Sequence, residues 1–322
     1  MSFTLYFLQR LAHSVTLVAV LALTTFLLIG QAPGSYLDEL ANNPQVSAES
    51  LARMRAQFGL DRPFYEKFWR WSRSVVSGDF GYSFVYQRPI RQLIGERVWN
   101  TVLLNLSALI VAWTAGVVLG LLAAANRGSW IDGIVGGTTT ILIGTPSVVL
   151  AVVLLASGAT LGLPIGGLSS AGRESAGMAA WIGDLARHLL LPVTAVAAGW
   201  FPAIARHTRA ALLAALEAPH MLTARAKGVG RGRLLVVHAL REALNPLTSL
   251  FGPSVAALLS ASLLVEVVMA WPGIGQLTYD AVLKRDIFLV VDLVLLSAVL
   301  LLIGNVIGDV LLRRVDPRVA GR

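Results

Sequence analysis

Six long apolar stretches limit this chain to a membrane-spanning helical fold. A helix needs about 20 mostly apolar residues to cross the hydrocarbon core of a bilayer, because no water there can satisfy a free backbone group. The stretches are Leu11 to Gly30, Val102 to Ala125, Thr138 to Leu163, Leu189 to Ala205, Leu247 to Ala270 and Phe288 to Leu312. The fourth is short and is interrupted by Gly199 and Pro202, so we expect its helix to continue past Arg206 and leave the membrane. Only 14% of the residues are charged, against about 25% in typical soluble domains, and the prediction is therefore an all-α membrane protein with six transmembrane helices.

The basic residues between these stretches indicate the orientation of the chain. With the N-terminus inside, the cytoplasmic segments hold thirteen Lys and Arg residues, and the short outside loops hold four. Cytoplasmic loops carry an excess of basic residues, so both termini are predicted to be cytoplasmic. The same rule accounts for the net charge of +8, and no nucleic-acid partner is needed to explain it.

The order of spans and loops predicts four regions. The first apolar stretch is longer than the core of a signal peptide and five spans follow it, so we expect it to be retained. The regions are 1–30, the N-terminus and first span; 31–100, a long extracytoplasmic loop; 101–312, a five-helix core with a cytoplasmic loop at 206–246; and 313–322, a cytoplasmic tail.

The long outside loop is predicted to be an ordered subdomain. Leu51, Met54 and Phe58 would share one face of a helix, which Ser47 could cap and Gly59 could end. A cluster of aromatic residues follows, at Phe64, Tyr65, Phe68, Trp69 and Trp71. This cluster fits either the lipid headgroup region, where amphipathic rings prefer to lie, or a packed core of the subdomain. A turn-rich element comes next, at Gly78, Asp79, Phe80, Gly81 and Tyr82.

The basic loop between the fourth and fifth spans is the most informative segment. Thr223 to Lys227 is a run of good helix formers, and Gly228 is placed to end that helix in a left-handed turn. The small side chains of Ala224 and Ala226 would leave the helix slim enough to enter a partner's cleft. The basic side chains of Arg225 and Lys227 could meet acidic groups or helix C-termini there. The alternative is a basic loop that only fixes topology.

A second helix is predicted from Arg231 to Pro246. Its apolar face would consist of Val236, Leu240, Ala243 and Leu247, which recur at i, i+4, i+7 and i+11. The opposite face would carry His238, Arg241 and Asn245. Such a helix can lie against the membrane side of the protein and present polar groups to the cytoplasm.

These segments resemble the membrane subunits of binding-protein-dependent ABC importers, in particular the dipeptide and oligopeptide permease branch. The cytoplasmic loop carries the resemblance first, with Thr-Ala-Arg-Ala-Lys-Gly at Thr223 to Gly228, His-Ala-Leu-Arg at His238 to Arg241 and Asn-Pro-Leu at Asn245 to Leu247. Further matching blocks are Gly59 to Pro63, Gly78 to Ser83, Glu266, Trp271 to Gly275 and Asp316 to Arg318. Together the blocks cover nearly the whole chain in the expected order.

The resemblance implies a type I ABC importer permease fold in a bacterial inner membrane. It implies that this chain forms half of a translocation pathway and that a second homologous permease subunit forms the other half. It also implies one or two ABC ATPase subunits and an extracytoplasmic solute-binding protein as partners. The residues it assigns to ATPase coupling are Thr223, Ala224, Arg225, Ala226, Lys227, Gly228, His238 and Arg241, and those it places toward the binding protein are Asp79, Tyr82 and Trp271. Di- or oligopeptides are the first expectation for the cargo, with nickel or another small solute as the alternative.

One position departs from the family pattern. The glutamate of the broader coupling motif would fall at Leu222, which leaves open which contacts an ATPase would grip. The segment from Gly166 to Gly183 is rich in Gly, Ser and Ala and belongs to none of these blocks.

ATP hydrolysis is expected in partner subunits. A phosphate-cradling loop needs Lys followed by Ser or Thr, whereas the three lysines precede Phe68, Gly228 and Arg285. ATP and Mg²⁺ would therefore bind to the ATPases, and this chain is predicted to hold no cofactor and to be no enzyme. The chain has no cysteine, which excludes thiolate metal sites, and no metal is expected.

Several residues inside the spans are candidates for the transport pathway. Pro146, beside Gly144, is expected to break the third span and could line a water-filled path or only kink the helix. Glu266 lies near the outer end of the fifth span and could be a gate or an interfacial anchor. Asp292 and Asp309, near the two ends of the last span, are predicted to be capping or interfacial residues.

Gly116 and Gly120 form a small-residue pattern in the second span. Glycines four residues apart permit close packing of membrane helices.

Two other functional classes are less well supported by the sequence. An ion-coupled secondary transporter would need ionisable groups near mid-membrane, and none of the six predicted spans has one at its centre. An intramembrane hydrolase would need a motif such as His-Glu-Xaa-Xaa-His or Gly-Xaa-Ser-Xaa-Gly, and neither is present.

Overall fold

The computed structural model of the chain describes residues 3–31, 62–170 and 177–315, together with the isolated positions 41, 47, 49, 52 and 172. The predicted helix face of Leu51, Met54 and Phe58 lies outside the described residues. The family block Asp316 to Arg318 and the tail that contains it also lie outside them.

The described part is almost entirely helical, with one small antiparallel hairpin. The first elements are α1 (Phe3–Gln31), α2 (Phe64–Val76), β1 (Tyr82–Ser83), β2 (Arg88–Pro89), α3 (Ile90–Ala125), α4 (Trp130–Gly144), α5 (Ser147–Thr160), α6 (Met178–Ala198) and α7 (Phe201–Leu216). The remainder are α8 (Pro219–Ala226), α9 (Arg231–Arg233), a π-helical segment (Leu234–Ala239), α10 (Leu240–Thr248), α11 (Phe251–Val268), α12 (Ile274–Leu283) and α13 (Ile287–Val315).

The helices account for all six predicted spans. Three are long and apolar enough to cross a membrane alone: α3, α11 and the part of α13 from Ile287 to Gly308. Two bent pairs, α4 with α5 and α6 with α7, qualify together, and α1 has a shorter described apolar part from Ala12 to Leu28. Each of the six predicted spans thus coincides with an apolar helix or a bent helix pair, and the predicted all-α membrane fold is confirmed.

The two bends lie where the sequence places Pro and Gly. The third span breaks between Gly144 and Ser147, and its two helices differ in direction by 110°. Pro146 precedes α5, because a proline lacks the N–H that an interior helical residue must donate. The fourth span bends by 54° after Gly199 and continues to Leu216, which confirms the predicted extension past Arg206.

The described chain forms two compact units, and the first comprises Met1–Asn100 and Gly273–Leu302. Its larger core is centred on Ile90, Leu277, Leu289 and Leu293. A second cluster joins α2 to the spans through Phe26 of α1.

The aromatic residues of α2 divide between the two environments that the sequence left open. Phe64, Phe68 and Trp71 pack around Phe26, each with its ring centroid 5.6 Å from that of Phe26. Tyr65 and Trp69 are 74% and 70% exposed. The helix therefore has a core-facing side and a second, exposed aromatic side.

Two buried carboxylates fix the first unit. Asp286 accepts hydrogen bonds from Ser83 Oγ at 2.6 Å and from the Val85 N–H at 3.2 Å, which ties the hairpin to the start of α13. Burial raises the pKa of the Asp286 carboxyl, and these bonds offset part of that effect. Asp292 accepts from Trp71 Nε1 at 2.9 Å and is fully buried, five residues after the first residue of α13, so it is not the predicted cap and it contacts protein rather than the membrane surface. The side chain of Asp309 lies outside the described residues.

The second unit comprises Thr101–Pro272 and Ile303–Arg322. Its core contains Leu104, Leu191, Ile204 and Leu258, contributed by four different helices. The close packing predicted at the glycine pair is confirmed on α7. A Cβ at Gly116 would lie 2.7 Å from Ile204 Cβ, and a Cβ at Gly120 would lie 2.6 Å from the Ala205 carbonyl oxygen.

Candidate functional site

The predicted short helix of the basic loop is present as α8, and Gly228 ends it. Gly228 has a φ of +83°, in the left-handed region that glycine adopts most easily. Its N–H donates to the Arg225 carbonyl at 3.0 Å, and the Val229 N–H donates to the Ala224 carbonyl at 3.2 Å. These two bonds form a Schellman motif, which satisfies the last carbonyls of the helix. The sequence-based prediction of the helix and its stop is confirmed.

One face of α8 is attached to the rest of the second unit. Met221 is buried in a cluster with Leu212 and Leu234, and Ala224 and Val229 pack against the same cluster. Ala224 is half-buried against its own chain, whereas Ala226 is exposed, and the role of these two small residues in a partner's cleft stays a prediction.

The outward face of α8 combines a large apolar residue with small and basic ones. Its exposed members are Leu222, Thr223, Arg225, Ala226 and Lys227. Leu222, the position that departs from the family motif, is 55% exposed. A partner that docks on α8 would therefore contact an apolar side chain where the broader motif has a carboxylate.

The second helix of the loop has a different buried face from the one predicted. The chain is π-helical from Leu234 to Ala239, which adds residues to the turn and shifts the register. Leu235, Ala239, Ala243 and Leu247 are buried as a result. Val236, which the 3.6-residue period placed on the apolar face, is 51% exposed. Leu240 is half-buried, so the predicted face is correct only at Ala243 and Leu247.

The predicted polar face of this helix is exposed. His238, Arg241 and Asn245 all lie at the surface beside α8. His220 of α8 bonds across to Glu242 of α10, with 2.9 Å between Nε2 and Oε2.

Three polar contacts surround the loop, and none of them was predicted from the sequence. The Arg231 guanidinium donates to the Ala125 carbonyl at 2.6 Å, at the end of α3. Arg127 and Glu217 form an ion pair at 2.8 Å, and the His220–Glu242 contact is the third. All three contacts are exposed to solvent, so they add only modestly to the burial of Met221 that attaches α8 to the unit. Only the abundance of charge in the loop could have suggested them, because the partners of Arg127 and Arg231 are 90 and 106 residues away.

Two surface grooves flank α8. The larger, with a volume of about 750 Å³, is lined by residues including Arg127, Leu213, Leu222, Arg225 and Arg231. The smaller, of about 640 Å³, is lined by residues including His220, Val237, His238, Arg241 and Leu244. Both combine apolar walls with basic side chains, which suits an amphipathic protein surface with acidic groups.

The residues predicted to face a binding protein divide into exposed and buried. Asp79 is exposed and accepts from the Gly81 N–H at 3.0 Å in the predicted turn, and Tyr82 is exposed on β1. Trp271 is fully buried in the core of the second unit, so its predicted surface role is wrong.

The two pathway candidates also differ in exposure. Pro146 is exposed at the break between α4 and α5. Glu266 is fully buried on α11, and its carbonyl accepts from the Trp271 N–H at 2.9 Å. Complete burial excludes the interfacial-anchor alternative for Glu266, and its gating role stays a prediction.

Two protein families match this chain. Residues 116–321 match the family described as "Binding-protein-dependent transport system inner membrane component". Residues 3–105 match the N-terminal family of the same membrane components.

Similar proteins of known kind extend over the whole chain. The oligopeptide transport system permease protein AppB of Bacillus subtilis (strain 168) is 31% identical over 315 residues, which cover 98% of each chain. The glutathione transport system permease protein GsiC of Salmonella paratyphi A is 32% identical over 316 residues, again 98% of each chain.

A solved structure shows the same fold. An inward-facing conformation of the MetNI methionine ABC transporter superposes with a TM-score of 0.54 at 22% identity, and it covers 70% of this chain and 96% of that one.

Proposed function

Because this chain belongs to the family of binding-protein-dependent transport system inner membrane components, we propose that it is the permease of an ABC importer for di- or oligopeptides. Relatives about 30% identical over 98% of its length are permeases for oligopeptides and for glutathione, itself a tripeptide. Both cargoes carry peptide bonds and free carboxylates. A peptide cargo is therefore the simplest common assignment.

The importer would contain several further chains. A second homologous permease would complete the pathway, one or two ATPases would bind ATP and Mg²⁺ on the cytoplasmic side, and a solute-binding protein would deliver the peptide outside. The distribution of basic residues supports cytoplasmic N- and C-termini in a bacterial inner membrane.

The observation that carries the proposed mechanism is the anchored helix α8, with an exposed mixed face and a groove on each side. In this proposal Thr223, Arg225, Ala226 and Lys227 contact an ATPase, and His238 and Arg241 border the same contact. When nucleotide draws two ATPases together, α8 would move with them as a rigid body. Met221 and the ion pairs around it would pass that motion to α7 and α10, and so to the spans.

The test compares two substitutions at Gly228. The site has open space around a Cβ, so size alone does not exclude a larger residue, and only the positive φ is restrictive. Valine there would cost about 1–2 kcal/mol or more, because a β-branched residue is strained in the left-handed region, whereas asparagine adopts it more readily. We expect Gly228→Val to lower ATP-driven peptide uptake about 5- to 30-fold, as that cost implies, and Gly228→Asn to retain most of it.

Uptake would be measured in proteoliposomes that contain the complete importer and a labelled tripeptide. Co-purification of the ATPases with each variant separates loss of docking from loss of transport. Normal assembly and uptake in Gly228→Val would refute the role of α8 in coupling. A separate competition with unlabelled dipeptides, pentapeptides and nickel tests the cargo, and displacement by nickel alone would refute the peptide assignment without affecting the coupling argument.

A further inference from the structure

The helix α2 presents three different faces along its length. Phe64, Phe68, Trp71 and Val75 face the protein and pack with Phe26. Tyr65, Trp69 and Val76 recur at i, i+4 and i+11, which places them on a second stripe about a third of a turn away. They are 74%, 70% and 90% exposed, so this second apolar stripe is not covered by the described part of the chain.

The remaining side of α2 is charged and predominantly basic. Lys67, Arg70 and Arg73 outnumber the single acidic residue of the helix, Glu66. Glu66 forms ion pairs with Arg62 and, at 3.3 Å, with Arg70. Arg73 lies next to the exposed apolar stripe on the helix surface and is itself exposed.

Contacts with two spans fix the depth of α2 relative to the membrane. Phe26 lies four residues before Gly30, where the apolar stretch of α1 ends in the sequence, which is about 6 Å along the helix axis. Trp71 bonds to Asp292, and Asp292 lies about 8 Å along the axis of α13 from the first residue of that helix, Ile287.

Both contacts lie at the same end of the spans. Phe26 of α1 packs with Phe64, Phe68 and Trp71 of α2, and Trp71 also bonds to Asp292 of α13. These contacts attach α2 to the spans within about 6–8 Å of their ends, which is close to the level of the lipid headgroups.

From this geometry we infer that the stripe of Tyr65, Trp69 and Val76 is a docking surface for anionic phospholipid headgroups. Protein covers one face of α2, the stripe enters the boundary between headgroups and acyl chains, and the basic side chains contact lipid phosphates. Apolar area together with basic charge is the combination by which interfacial helices bind anionic bilayers. The inference does not depend on the transported cargo or on the orientation of the chain, because it concerns whichever leaflet lies at this end of α1.

The test uses the absence of native cysteine to place one spin label at a time on the full-length chain in nanodiscs. Val76→Cys places the label on the stripe. Ser77→Cys, on the next residue and turned toward the charged side, is the matched control. Accessibility to oxygen, which concentrates in lipid, and to a water-soluble nickel complex is measured for both labels.

We expect the ratio of oxygen to nickel accessibility at position 76 to exceed that at position 77 by about twofold or more, as for an interfacial helix. This difference should increase when phosphatidylglycerol replaces part of the phosphatidylcholine. The double variant Arg70→Gln/Arg73→Gln should lose most of that increase, whereas Arg91→Gln, an exposed arginine on α3, should retain it.

Three outcomes would overturn the inference. Equal, nickel-dominated accessibility at both positions would place the stripe in water. Low accessibility to both reagents at position 76 would mean that protein covers it. Immersion that does not depend on phosphatidylglycerol would refute the anionic preference. Each result is independent of transport activity, so it can be distinguished from a failure of the proposed importer function.

Discussion

Replacing Gly120 with alanine tests whether close packing between α3 and α7 holds the second unit together. The added Cβ would lie 2.6 Å from both the Ala205 carbonyl oxygen and Thr208 Cβ. An ordinary carbon contact is about 3.5–4.0 Å, so the two helices would have to separate by roughly 1 Å. Neither neighbour is the end of a flexible side chain, because one is backbone and the other is a Cβ.

The expected magnitude follows from two opposing effects. Overpacking of a dense core costs about 1–3 kcal/mol, and the rigid neighbours of Gly120 favour the upper part of that range. Alanine in place of glycine inside a helix raises the free energy of unfolding by about 0.5–1 kcal/mol. We therefore expect Gly120→Ala to lower the free energy of unfolding by about 1–2 kcal/mol.

The matched control is Gly137→Ala on α4, where a new Cβ would have nothing within 4 Å. This variant should be as stable as the wild type or slightly more stable. The free energy of unfolding of the isolated chain would be measured in mixed micelles by titration with sodium dodecyl sulfate, with circular dichroism as the signal. If Gly120→Ala were as stable as Gly137→Ala, the close approach of α3 and α7 described here would be refuted.

Two further substitutions test polar contacts. Arg209 donates from Nε and Nη2 to the two oxygens of Asp132 at 2.6 and 2.7 Å. Arg209→Lys should lose this bidentate geometry and lower the free energy of unfolding by about 1 kcal/mol in the same titration, whereas Arg206→Lys, at an exposed neighbouring position, should not. Equal stability of the two variants would contradict this prediction. Ser83→Ala removes one donor to buried Asp286 and should cost about 1–3 kcal/mol, seen as faster hydrogen exchange at the hairpin, while Ser77→Ala should leave that exchange unchanged. Unchanged exchange in Ser83→Ala would show that Asp286 does not hold the hairpin.

Local sequence patterns set the features that depend only on neighbouring residues. The spans follow from uninterrupted apolar length, the break at Pro146 from a missing N–H, and the end of α8 from the freedom of Gly228 to adopt a positive φ. Each is a local property, readable within one or two helical turns. The family blocks added the permease assignment, which the relatives support across the chain.

Contacts between residues far apart in the chain set the remaining features. The π-helical turn at Leu234–Ala239 moved Val236 to the surface, because packing of Leu235 and Ala239 overrides the regular helical period. Asp292 looked interfacial from its place at a helix end, yet Trp71, 221 residues away, buries it. Gly120 was recognisable as a close-packing residue, but only the fold identifies Ala205 and Thr208 as its neighbours. Periodicity shows which residues share a face, whereas the partner that covers the face is set by the path of the whole chain.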